Sequence, residues 1–137
     1  MQNPSNEHIR QILEGTKTIA VVGLSNNPEK TSYQISKIMQ ENGYRIIPVN
    51  PTVDEVLGER AYDSLVDIKE SVDIINVFRR PEYLPEIAKE ATQLDCKVFW
   101  AQQGITNEEA YHFLDDKGFT VIMDLCIKVA HAVLVKK

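Results

Sequence analysis

Gly23-Leu24-Ser25-Asn26-Asn27-Pro28-Glu29-Lys30 is the stretch of this chain best suited to hold an anion. It carries one glycine, small polar residues and a lysine between an apolar run and a helical pattern that starts near Thr31 or Ser32. Backbone N–H groups at a helix start are unpaired, and the helix dipole adds partial positive charge there. Lys30 adds a full charge at the same place. A second cationic pair, Arg79-Arg80, follows another apolar run. Two guanidiniums there suit the oxygens of a phosphate. Together these groups read as the site of an anionic, nucleotide-like ligand. Each residue also has a plainer reading. Gly23 serves equally as a tight turn, Ser25 and Asn26 as partners of loop backbone, and Lys30 as a solvated charge. Arg79 and Arg80 could be paired with nearby carboxylates.

Groups for covalent chemistry are sparse. The chain has no nucleophile elbow and no G-K-[ST] P-loop, since Glu29 and not glycine precedes Lys30-Thr31. His8, His112 and His131 fall in separate expected helices and read as surface or packing residues. Cys126 lies at the start of the last expected helix, where the dipole favours a thiolate, but a buried apolar role is the simpler reading. Cys96 precedes a strand on the opposite edge and reads as inert. Two cysteines without a CxxC pair or a Cys/His cluster argue against zinc.

The elements that must position these residues alternate along the chain. Ser5 caps a first helix with Ile9, Ile12 and Leu13 on one face and Gly15 at its end. Apolar runs at 18–22, 44–49, 72–78, 97–101 and 119–123 read as five strands. Helical patterns lie between them at about 32–41, 83–94 and 106–117, with Thr106 and Glu109 matching a capping box. A last helix, capped by Asp124 and apolar nearly all round, runs to about Val135. Such a helix needs cover from the sheet and, in one reading, from a second copy of the chain in a homodimer. Residues 52–69 are irregular, with a turn at Gly58 and one helical turn near 64–66. Alternating apolar strands and helices predict an α/β, Rossmann-like, doubly wound parallel sheet of about five strands with helices on both faces. The whole chain, 1–137, is expected to form one domain.

In such a sheet a ligand binds beyond the carboxyl ends of the strands. Those ends are Gly23 to Asn26, Asn50-Pro51-Thr52, Phe78-Arg79-Arg80, Gln102-Gln103-Gly104 and Asp124. A dinucleotide is disfavoured there, because G-x-G-x-x-G is absent and Asn50-Pro51 stands where an acid should hold the ribose.

The net charge of −5 argues against general nucleic-acid or membrane-surface binding. Hydrophobic residues make up 43% of the chain, enough for a globular core. The polar Met1-Gln2-Asn3-Pro4-Ser5 is unlike a signal peptide, and a cytoplasmic location is expected.

Four motifs share a family register: V-V-G-L-S-N-N-P-E-K-T-S-Y at 21–33, G-Y-R-I-I-P-V-N-P at 43–51, V-D-I-I-N-V-F-R-R-P at 72–81 and V-F-W-A-Q-Q-G-I at 98–105. Together they resemble the stand-alone CoA-binding domain family, which is similar to the N-terminal CoA-binding domain of the succinyl-CoA synthetase alpha subunit. The resemblance implies a Rossmann-like domain that binds coenzyme A, and with the sparse catalytic groups above the expected protein is a CoA- or acyl-CoA-binding one with no evident catalytic centre. The resemblance places Gly23, Leu24, Ser25, Asn26 and Lys30 at the pyrophosphate, with Ser32 and Tyr33 at the helix start behind them. It sets Asn50 and Pro51 by the adenine and ribose, Phe78, Arg79 and Arg80 beside the nucleotide, and Gln103 and Gly104 near the pantetheine path. The family usually reads M-D-R-C-I-K after the fifth strand; here Leu125 replaces the arginine, and Ala130 stands where an acid is common. Any role of those two groups does not carry over. Two further readings stay open: an enzyme acting on an acyl-CoA thioester through Cys126 or Asp124, and an NAD-binding regulatory module.

Overall fold

A computed structural model describes residues 1–135. Helix α1 (Asn6–Gly15) leads into strand β1 (Thr18–Val22), then α2 (Thr31–Glu41) and β2 (Arg45–Val49). A short hairpin follows, β3 (Glu55–Val56) and β4 (Glu59–Arg60), and then a 3₁₀ turn at Leu65–Asp67. The second half holds β5 (Ile74–Val77), α3 (Leu84–Ala91), β6 (Val98–Ala101), α4 (Glu108–Asp116), β7 (Thr120–Ile122) and α5 (Ile127–Leu134).

Five strands pair in the order β2-β1-β5-β6-β7, all parallel. This is the doubly wound, Rossmann-like arrangement that the alternating pattern predicts. Successive strand residues point to opposite faces, so each apolar run feeds two cores. Ala20, Val22, Ile75, Val77 and Phe99 pack with Leu84, Ala88 and Leu114 of α3 and α4. Ile19, Val21, Ile74 and Trp100 pack with Ile9, Leu13, Ile35, Met39 and Ile127 of α1, α2 and α5. The order reverses between β1 and β5, whose chains leave toward opposite ends of the sheet. Their carboxyl ends therefore frame the crevice of the fold.

Several boundaries differ from the expected ones for local reasons. The irregular 52–69 stretch contains the β3–β4 hairpin, turned by Leu57 (φ 54°) and Gly58 (φ 79°). A two-residue turn with both φ values positive suits the twist of a hairpin, but Leu-Gly lacks the usual Asn-Gly signal. Helix α4 is capped by Asn107, not Thr106: the Ala110 N–H donates to Asn107 Oδ1 at 2.9 Å. Asp124 does not cap α5. It sits in the left-handed region at φ 58° and accepts from the Gly104 N–H, and the helix starts at Ile127 behind Cys126. The third long helix opens as a 3₁₀ turn at Pro81–Tyr83 before Leu84–Ala91, with Pro85 in its first turn. Helix α5 packs on α1 and α2 through Ile127 and Ala130, leaving Val129 and Val133 exposed. No helix among the described residues is long and apolar enough to cross a membrane.

Candidate functional site

The loop after β1 is organised by its own polar groups. The Gly23 N–H donates to Val49 O at 2.8 Å, extending the β1–β2 ladder by one bond. Leu24 is fully buried, so its side chain anchors the loop in the core. Ser32 Oγ, one residue into α2, accepts from the Ser25 N–H at 3.1 Å; Ser25 Oγ in turn accepts from Asn27 N. Asn27 Oδ1 accepts from Glu29 N, and Asn27 O from Lys30 N. These bonds deliver the chain to α2 with Lys30 at the N-cap and no side chain capping the helix. Its first-turn N–H groups thus keep the dipole-assisted anion capacity that Ser5 and Asn107 use up in α1 and α4. Asn26 and Lys30 are exposed beside this helix start, and Tyr33 is half-buried.

Gly23 (φ 86°) is where the two central loops meet. A β-carbon there would lie 2.5 Å from Phe78 O and 3.0 Å from Arg79 Cδ. Glycine is required by this close approach, which brings the Phe78-Arg79-Arg80 turn against the β1 loop. Phe78 is half-buried on the α1/α2/α5 side, and its N–H donates to Val22 O. The Arg79 guanidinium stacks over the Tyr83 ring at 4.5 Å, and Arg80 lies over the same ring at 5.4 Å while donating to Tyr83 Oη at 3.1 Å. Among the described residues the ion pairs belong to Arg10 and Arg45; Arg79, Arg80 and Lys30 have none.

Asn50 acts as a bracket. Its Nδ2 donates to Leu24 O at 3.0 Å, its N–H to Tyr62 O, and its Oδ1 accepts from the Thr52 N–H and hydroxyl. The β1 loop is thereby tied to the β2 exit. Pro51 is exposed and lines a cavity of about 190 Å³ together with Val22, Val49, Arg79, Tyr83 and Ile87. Asp63, Glu86 and Glu90 complete its lining, and Ser64 Oγ donates to Glu90 Oε1 at 3.0 Å. An apolar floor, an aromatic wall and carboxylate acceptors suit a planar base or a sugar that donates hydrogen bonds. The one cation in the lining is Arg79, at the cavity's wall; Arg80 and Lys30 are not part of the lining.

Gln103 and Gly104 are exposed at the end of β6, and the Gly104 N–H is held by Asp124 Oδ1 at 2.6 Å. Beneath them lies a buried polar pair that sequence reasoning passed over. Gln102 Nε2 donates to Asn76 Oδ1 at 2.5 Å, and Gln102 Oε1 accepts from Ile127 N at 3.2 Å. Gln102 therefore supplies the first-turn bond that no side chain of α5 supplies. The signal was present as a lone asparagine inside V-D-I-I-N-V-F, since a polar group in a buried strand must find a partner. Tyr83 was also missed, although an aromatic ring three or four residues after two arginines is a ready stacking platform.

His131 is buried and packs edge-on against Tyr44, with ring centroids 5.6 Å apart; His112, exposed on α4, lies edge-on to Tyr111 at 5.4 Å, and His8 is exposed in the first turn of α1. Cys96 and Cys126 are both free and buried, and burial pushes the Cys96 thiol up from its ordinary range.

The same fold and loops recur in known proteins. The chain is 62% identical over 133 residues to the uncharacterized protein YneT of Bacillus subtilis (strain 168), covering 97% of this chain and 98% of that one. It is 33% identical over 95 residues to an ADP-forming acetate–CoA ligase II subunit alpha of Pyrococcus furiosus; the match takes in 66% of this chain but 21% of the ligase subunit. Among solved structures, a hypothetical protein from Pyrococcus horikoshii OT3 superposes with a TM-score of 0.93 at 33% identity, covering 98% of this chain and 96% of that one. Residues 17–132, which hold every loop of the rim described above, match the CoA binding domain family, and the chain belongs to that family.

Proposed function

We propose that the protein binds coenzyme A or an acyl-CoA and works as a binding protein without a catalytic centre of its own. The observation that carries this reading is the crevice between β1 and β5. There Arg79 lines a cavity shaped for a base, Arg80 follows it in the same turn, and the β1 loop runs on to Lys30 and an uncapped helix start; among the described residues these three cations have no ion pair. Phosphates fit the α2 start and the cations, with Ser25, Asn26 and Tyr33 beside them. The adenosine end fits the cavity against Pro51 and Tyr83, with Asn50 fixing the loop between the two. Gln103 and Gly104 border the path of the pantetheine arm. Coenzyme A, when bound, would supply the thiol; the residues here hold and orient the nucleotide. Among the described residues neither the cavity lining nor the loops after β1 and β5 hold a histidine or cysteine to act as a base or nucleophile, which supports binding over turnover. Two free buried thiols fit a reducing compartment such as the cytoplasm.

A thermal-shift and calorimetric panel with CoA, acetyl-CoA, dephospho-CoA, NAD and ATP tests the reading. A ligand that binds only the folded chain raises its melting temperature by mass action. CoA or acetyl-CoA should give the largest shift. A larger shift with NAD, or none with either CoA species, overturns the proposal.

A further inference from the structure

We propose that Tyr83 is a positioning residue of the nucleotide site: its ring holds Arg79 and Arg80 ready for a phosphate on the ribose, and so selects nucleotides that carry one. The inference rests on the CoA reading above and deepens it at the adenosine end of the ligand. Arg79 and Tyr83 both line the cavity assigned there to the adenosine. A phosphate on the ribose of a nucleoside in that cavity comes within reach of Arg79, the one cation in the lining.

Arg79 is half-buried and shares the cavity with Asp63, Glu86 and Glu90, yet it pairs with none of them. A guanidinium among carboxylates ordinarily takes one as its partner. Here it is held elsewhere, at both ends. Its stem crosses Gly23 so closely that a β-carbon on that glycine would lie 3.0 Å from Arg79 Cδ. Its head lies over the Tyr83 ring at 4.5 Å. Arg80 lies over the same ring at 5.4 Å and donates to Tyr83 Oη at 3.1 Å. Stacking occupies the face of a guanidinium and leaves its in-plane N–H donors free for oxygens.

The platform is itself fixed. The Tyr83 N–H donates to Arg80 O at 3.0 Å, closing the Pro81–Tyr83 turn, and Asn107 Nδ2 donates to Pro81 O at 3.1 Å. Leu84, fully buried, already anchors the start of α3 in the core. Two free arginines that must be ordered on binding weaken a ligand by about 5- to 150-fold. With Tyr83 in place that ordering precedes binding.

Calorimetric titration of the full chain with CoA and dephospho-CoA tests this in the wild type, Tyr83→Leu and Tyr83→Phe. The readout is the ratio of the two affinities, because any loss of adenosine contact with the ring affects both ligands alike. The wild type should prefer CoA by about 10- to 150-fold. In Tyr83→Leu that preference should fall by at least about 5-fold. Tyr83→Phe keeps the ring and should hold the preference within about 2-fold of the wild type. Dephospho-CoA binding shows that each variant is folded, and Tyr83→Met reads the same loss should the leucine variant not fold. An unchanged ratio without the ring gives Tyr83 a packing role only and overturns the assignment. So does an equal loss in Tyr83→Phe, which would place the effect in the hydroxyl, and so does a wild-type ratio near one; each leaves CoA binding standing. Failure of CoA itself to bind removes the parent reading and this one with it.

Discussion

Gly23 and Phe78 touch through backbone alone: a β-carbon on Gly23 would sit 2.5 Å from the Phe78 carbonyl oxygen, well inside van der Waals contact. The glycine N–H is already committed to Val49 O. The residue therefore serves the site by letting two loops close on each other, which sets the spacing between the α2 start and Arg79. Gly23→Ala must either push the Phe78-Arg79-Arg80 turn away or abandon its positive φ. The expected cost is at least about 2 kcal/mol, from strain and overpacking together. Urea denaturation would show it as a lower midpoint, with CoA affinity falling in parallel. A variant within about 0.5 kcal/mol of wild type would mean that the two loops yield easily.

Arg79 and Arg80 share one platform, the Tyr83 ring, and neither is neutralised by an acid among the described residues. The three carboxylates near them line the cavity. A ligand with a 3′-phosphate should gain from these guanidiniums. Loss of a charge-assisted hydrogen bond is worth roughly 1.5–3 kcal/mol, about 10- to 150-fold in affinity. Dephospho-CoA should therefore bind that much more weakly than CoA, and Arg79→Met or Arg80→Met should shrink the difference. Matching affinities for the two nucleotides in the wild-type chain would remove this role from both arginines.

The five strands, the parallel sheet and the helices on both faces could be read from the chain, because continuous apolar runs ending in Gly23, Asn50, Phe78 and Gln102 alternate with helical patterns. What escaped were long-range side-chain bonds. Asp124 looks like a helix cap in sequence, yet it is drawn to the Gly104 N–H, twenty residues away. Thr106 looks like the better cap, yet Asn107 wins because its amide also reaches Pro81 O at 3.1 Å. Such choices depend on which loops become neighbours, and local propensity does not hold that information. The hairpin at Leu57-Gly58 was hidden for another reason: Leu57 accepts a positive φ that its type disfavours, and the turn is secured by Gln40 Nε2 donating to Leu57 O.

Arg45 on the edge strand β2 pairs with Glu70, which also accepts from Tyr62 Oη at 3.1 Å. The Arg45 hydrogen bond, aided by Tyr62, holds the Glu70 carboxyl below its usual range against the opposing pull of partial burial. A carboxyl whose folded pKa is depressed stabilises the fold fully above its unfolded value, about 4.3, and loses that contribution as pH falls through the lower folded value. Both groups are substantially solvated, so the effect should stay below about 1 kcal/mol. Urea midpoints of wild type and Glu70→Gln should differ near pH 6 and converge near pH 2.5. A difference that persists undiminished in acid would show that the pair acts through packing and not through charge.

Gln102 is 4% exposed and Asn76 is 2% exposed, so their shared hydrogen bond has no access to water as a substitute partner. Gln102→Leu would strand Asn76 Oδ1 and the Ile127 N–H at once. Each buried group left unpaired costs about 1–3 kcal/mol, giving an expected loss of roughly 2–6 kcal/mol. Asn76→Leu alone strands the Gln102 amide and should cost less, since Gln102 Oε1 keeps its bond to α5. The double variant Asn76→Leu with Gln102→Leu removes both ends of the side-chain bond and leaves only the Ile127 N–H unpaired. Its destabilisation should therefore fall short of the sum of the single changes by at least about 2 kcal/mol, which denaturant titration of all four proteins would resolve. Strict additivity would mean that the two amides do not act as a pair, and that the α5 start is held to β6 by Trp100 and the Leu125 carbonyl instead.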